Sequence, residues 1–200
     1  MRFFQIEILG DLKNIKQLPT IERAPSGLKL KCWHLTEGLP VKNLYEKVYS
    51  GNLKVYLENM PQEKGMTDFI SNTACLLVVS SRCKELFDSH LSEQEVEILP
   101  LDIYSSDEQI VSSDYWMVHS LATFDALDTA RSEVIYDECE PYDPIGVDGD
   151  YVFSEDKVSA APALFRIPEY PSDFFIREDL ARALHSLEPS NLFLTEIQVA

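Results

Sequence analysis

The chain has 200 residues, 45% hydrophobic and 26% charged, the make-up of a folded protein with a sizeable core and not of a disordered segment. Its formal charge is −17, from 34 Asp and Glu against 17 Lys and Arg. That sign excludes a nucleic-acid binder held by phosphate contacts and favours a basic protein as partner.

The charge is unevenly placed. Residues 1–64 hold ten Lys or Arg against seven Asp or Glu, whereas from residue 65 seven basic residues face twenty-seven acidic ones. Between Asp114 and Asp156 twelve carboxylates stand against Arg131 alone. Such a face keeps a protein soluble, and it also steers a basic partner. Four cysteines, Cys32, Cys75, Cys83 and Cys139, show no CxxC pair, and four scattered histidines give no zinc spacing. The apolar N-terminal run is broken by Gln5 and Glu7, unlike a signal peptide, and no run approaches a membrane span. A cytoplasmic protein with reduced thiols is expected.

In chain order, Phe3–Leu9 reads as a strand with Phe4, Ile6 and Ile8 on one face. Leu28–Trp33 alternates as a strand, Asn43–Tyr49 suits a short helix, and Val55–Leu57 suits a short strand. Pro61–Gly65 looks like a linker, so residues 1–62 are expected to form a small β-rich lobe packed on an α+β domain of residues 63–200. Leu76–Leu101 then reads strand, helix, strand. Cys83, Leu86, Phe87, His90 and Leu91 share one helical face, and Ser80 or Ser81 is placed to cap it. Asp114–His119 and Val134–Tyr136 are strand-like, and Leu121–Asp128 is ambiguous. Asp137–Asp150, with two prolines and two glycines, reads as a loop. Tyr151–Phe153 and Leu164–Ile167 follow as strands, Ser154–Ala161 as a helical turn, and Tyr170–Asp173 as a turn into Phe174–Ile176.

The C-terminal stretch echoes the earlier unit: Leu180, Ala183, Leu184 and Leu187 share a helical face, between two strands. Its capping position falls on Arg177, a poor cap, although Glu178 and Asp179 suit the positive end of the helix. The pattern is an α+β fold: a mixed or antiparallel sheet carrying two amphipathic helices in repeated strand–helix–strand units.

Catalytic signatures are missing from this sequence. It has no GxSxG elbow, no glycine-rich phosphate loop and no HExxH, and Asp148-Gly149-Asp150 does not fit the register of a calcium loop. A carboxylate pair in 137–156 working with magnesium remains an alternative, with Lys157 the nearest base. A scaffold that pairs through a strand edge, as a homodimer for instance, is a third. Arg166 interrupts an apolar strand and is expected to pair with Glu169 or Asp173. The leading candidate surface is Asp137, Glu138, Glu140, Asp143, Asp148 and Asp150, with Tyr142 as an aromatic anchor among them. No metal, cofactor or membrane is expected to take part.

Leu77-Val78-Val79-Ser80 with the following helix and Val96–Pro100 resembles one segment of a known family. Asp125-Ala126-Leu127-Asp128 with Ser132, and Leu164-Phe165-Arg166-Ile167-Pro168, are similar to two more, in the same order. The family is the eleventh-numbered immunity-protein family of bacterial polymorphic toxin systems, and the resemblance covers about residues 65–200. Arg177, where the family often has Ser, departs from it. The resemblance implies a non-enzymatic cytoplasmic binder that neutralises a cognate toxin, and it supplies no catalytic residues.

Overall fold

The computed structural model describes residues 1–8, 18–22, 36–41, 51–59, 65–137 and 144–200. The strand expected at 28–33, the helix expected at 43–49 and most of the expected linker lie outside them.

The first strand, β1 (Phe3–Glu7), belongs to a sheet completed only at the end of the chain. The next six are β2 (Thr20–Ile21), β3 (Leu53–Asn59), β4 (Phe69–Asn72), β5 (Leu77–Ser80), β6 (Val96–Tyr104) and β7 (Ile110–Ser120). They close into a barrel in the order β2-β3-β6-β7-β5-β4. Side chains alternate across each strand, so β5 sends Val78 into the barrel and Leu77 and Val79 outward. Val55, Leu57, Leu101, Ile103 and Met117 fill the interior with Val78. Each such burial contributes about 1.5–3 kcal/mol.

The later strands are β8 (Glu133–Tyr136), β9 (Pro144–Asp148), β10 (Val152–Phe153), β11 (Leu164–Ile167), β12 (Tyr170–Arg177) and β13 (Phe193–Val199). Five of the thirteen form a sheet ordered β10-β13-β1-β12-β11. One face carries Phe4, Ile6, Leu164, Phe174 and Ile176 against the outer wall of the barrel and two helices. The other packs Phe3, Phe165 and Phe175 on Phe153, with ring centroids 5.2 to 6.0 Å apart. Ala126 and Leu127 close over that second face, both fully buried.

The helices are α1 (Ser81–His90) and α2 (Glu178–Leu187). β5–α1–β6 and β12–α2–β13 share one arrangement. In each, the two strands lie antiparallel to a common third strand between them: β7 in the first unit, β1 in the second. α1 buries Cys83 and Phe87, and α2 buries Leu180 and Leu184 as expected, with Ala181 in place of Ala183. His90 departs from its expected inner face. The last turn of α1 stands clear, exposing Asp88, Ser89 and His90 together, and the imidazole meets the Leu86 carbonyl at 2.9 Å.

Two loop expectations are corrected. Pro144–Asp148 is a strand, paired with β8 as a separate ribbon. Pro144 opens it, where a missing N–H costs no ladder bond, and Gly146 lies buried with room for Ile135 and Tyr170 beside it. The turn expected at Tyr170–Asp173 falls earlier, at Pro168-Glu169, with Ile167 facing Tyr170 across it. The fixed φ of Pro168 suits the first corner of such a turn.

Ser80 stands at the cap of α1 but gives its hydroxyl elsewhere, to Asp68 at 2.7 Å. Asp68 also accepts from Arg82 (2.8 Å), the Ser190 amide (2.9 Å) and the Ser190 hydroxyl (3.0 Å), tying β4, the start of α1 and the turn after α2 together. Burial pushes this carboxyl upward, but the donors outweigh it and hold its pKa at about 2 against 3.8 for a free group. Folding therefore favours the charged form. That contribution is complete above the free value and is lost as the pH falls toward 2. Asp68→Asn is expected to cost about 1–2 kcal/mol near neutrality, since solvent screens part of the cluster. In urea melts the gap between the two proteins should close on acidification through that window. A gap independent of pH would contradict the assignment.

Candidate partner-binding surface

Of the seven surface residues expected from sequence, Glu138, Glu140, Tyr142 and Asp143 lie outside the described residues. The other three are spread out. Asp137 follows β8 and is half-buried, whereas Asp148 ends β9 at the far end of the ribbon and is exposed. Four residue pairs at about 3.3 Å each separate the two ends by roughly 10–13 Å. Asp150 lies beyond, lining a groove of about 270 Å³ with Glu7, Tyr151, Thr195 and Glu196.

Asp148 sits directly opposite Glu133 in the ribbon, and both are exposed. Like charges in that position oppose folding. Glu133 opens a strand and stands apart from the acids of 137–150, so composition alone does not group it with them. The ribbon also exposes Ile135 (43%), Tyr136 (45%) and Ile145 (50%), three of the large apolar side chains left in solvent. Val134 and Val147 pack on the core beneath.

Beside Ile145 lies a cleft of about 360 Å³, lined by Ala74, Cys75, Pro144, Ile145, Tyr170 and Pro171 among others. One wall is the β4–β5 turn. Asn72 shapes it: Oδ1 accepts the amides of Ala74 (3.1 Å) and Leu76 (2.9 Å), and Nδ2 donates to the Leu76 carbonyl (2.8 Å). Within this turn Cys75 takes a left-handed conformation, φ 55°. Its carbonyl accepts from Arg166 Nη2 at 2.8 Å, while Nη1 of the same guanidinium donates to the Pro171 carbonyl on the opposite wall.

Arg166 therefore holds two carbonyls, in place of the carboxylate partner expected. It is buried, and its guanidinium lies 3.8 Å from the centre of the Phe174 ring. Neither candidate carboxylate bonds it. Asp173 Oδ2 is occupied by Gln5 (2.6 Å) and the Tyr151 hydroxyl (2.7 Å), and Glu169 Oε2 is shielded with no hydrogen-bond partner among the described residues. Burial brings the Arg166 pKa down to about 10, so it stays charged at neutral pH. Burial also raises the pKa of Asp173, against the pull of its two donors.

Several other polar groups are used by the fold. Lys157 Nζ donates to Asp125 Oδ1 (2.7 Å) and the Leu127 carbonyl (3.0 Å), pinning the stretch that covers the second core. Ser132 bonds both backbone groups of Val152, at 3.0 and 3.2 Å. His119 is buried, its Nε2 meeting the Leu39 carbonyl at 2.8 Å, and burial lowers its pKa. Cys83 is buried beneath α1, where desolvation raises the thiol to about 11. No three or more His, Cys, Asp or Glu among the described residues come together as metal ligands. No described helix is long and apolar enough to cross a membrane.

The ribbon leaves carboxylates and large apolar side chains in solvent, and an apolar cleft lies beside it. Comparison with protein families gives the more particular result. The immunity protein family (Imm11) matches residues 14–199, and the chain belongs to that family. A search of curated proteins finds no match. The segments that carried the resemblance prove architectural: Ala126 and Leu127 seal a core, Ser132 locks β10, and Arg166 joins the sheet to the barrel.

Proposed function

We propose that this chain is the immunity partner of a basic toxin in a bacterial polymorphic toxin system, neutralising it in the cytoplasm by binding and performing no reaction of its own. Family membership supplies the role, since an immunity protein answers to a cognate toxin. The single observation that carries the mode of binding is the ribbon, where Glu133 and Asp148 face each other in solvent with Asp150 beyond. The sequence has no Lys or Arg between Arg131 and Lys157 to relieve them. A cationic surface docked there converts a cost of folding into a gain of binding. The carboxylates Glu138, Glu140 and Asp143 and the side chain of Tyr142 extend the same interface in this proposal.

The test uses the protein encoded beside this chain in its source genome, as purified toxin domain. A one-to-one complex is expected, with loss of toxin activity in the mixture. Titration of the chain alone with magnesium, manganese and calcium should give neither heat nor a thermal shift. Failure to form the complex, or a tight divalent site at the 137–156 carboxylates, would contradict the proposal.

A further inference from the structure

We propose that the cleft between Ala74-Cys75, Pro144-Ile145 and Tyr170-Pro171 receives a bulky apolar side chain from a segment of the toxin that also carries Lys or Arg. This rests on the binding role proposed above and specifies where the contact is anchored. The cleft is about 360 Å³, the size of a pocket that takes one large side chain with its neighbours, and its lining is mostly apolar. The exposed Ile145 stands at its edge, and Ile135, across the ribbon from Gly146, is also exposed. A large exposed apolar side chain beside an apolar cleft is the form of a protein-binding site.

Two of the walls are tied to each other. One is set by the Asn72 turn, the other belongs to β12, and the Arg166 guanidinium bonds a carbonyl of each. A preformed cleft spares the binding reaction the ordering of its own loops, so an inserted side chain contributes more of its contact energy to affinity. Charge selects the occupant. Glu133 and Asp148 lie three residues along the ribbon from Ile145, about 10 Å away and within reach of one extended segment, and a second copy of this chain, at −17, would bring like charge to them.

Ile145→Arg keeps an exposed position exposed and places a long cation at the rim, where it blocks the cleft and repels a basic segment. Against the toxin domain encoded next to this chain, its Kd should rise at least about thirtyfold, the loss seen when a central anchor is removed. Phe193→Arg, at an exposed apolar residue on β13, is expected to leave Kd unchanged. Circular dichroism and urea melts of both variants should match the unaltered chain. Should the unaltered chain bind no toxin, the underlying role fails and the cleft assignment with it. Should it bind and Ile145→Arg bind equally well, the role stands and the cleft assignment is overturned. The assignment is also overturned if sedimentation shows that Ile145→Arg abolishes a dimer of the free chain without changing toxin affinity.

Discussion

Replacing Arg166 with alanine will lower the unfolding free energy by about 3–5 kcal/mol, a large part of what holds a domain of this kind together. Three losses combine. The Cys75 and Pro171 carbonyls lose their donor, the Phe174 ring loses the cation stacked on it, and a void opens between the sheet and the barrel. Relief of the buried charge offsets part of this, and a second variant separates the terms. Arg166→Met fills most of the volume and removes the charge, but cannot bond the carbonyls, so it should cost less than alanine while still loosening the cleft. Urea unfolding at pH 7 measures both. A loss below about 1 kcal/mol for alanine would mean that water replaces the guanidinium at little cost, and that the clamp does not set the geometry.

Neutralising Glu133, Asp137, Asp148 and Asp150 together with Gln or Asn will slow association with the toxin at least about tenfold at low salt. Dissociation should change less, because rim charges act mainly on the approach of the partner. Of these substitutions, Glu133→Gln with Asp148→Asn removes the opposition across the ribbon, and that pair alone should make the free chain more stable, by about 0.2–1 kcal/mol. A variant both more stable and slower to bind is the signature of charge retained for a partner. A variant with an unchanged association rate would remove the ribbon from the encounter.

Local pattern was enough to place the helices. Cys83 and Phe87, and Leu180 and Leu184, are spaced for one face each, and nothing elsewhere in the chain had to be known to see it. The pairing of strands was not legible, because it depends on partners far apart in sequence. Residues 3–7 lie between β12 and β13 at the other end of the chain, and no local property of FFQIE announces this. At the candidate surface, composition exposed the acids but hid the apolar edge. Pro144 and Gly146 made a strand look like a loop, so Ile145 was passed over. The cleft joins three separate segments and leaves no spacing to read. Arg166 is visible as a charge in an apolar strand, but the local sequence offers only nearby carboxylates as counterparts. The folded chain supplies a carbonyl from Cys75, 91 residues away.

The most direct measurement is the rate at which the unaltered chain meets the toxin domain encoded beside it, followed by stopped flow across a series of salt concentrations. Screening shortens the reach of exposed charge to about 10 Å at 0.1 M ionic strength. If the acidic surface guides a basic partner, the association rate falls steeply as salt rises while the dissociation rate holds nearly level. An association rate flat across the series, or one that climbs with salt, would contradict the account.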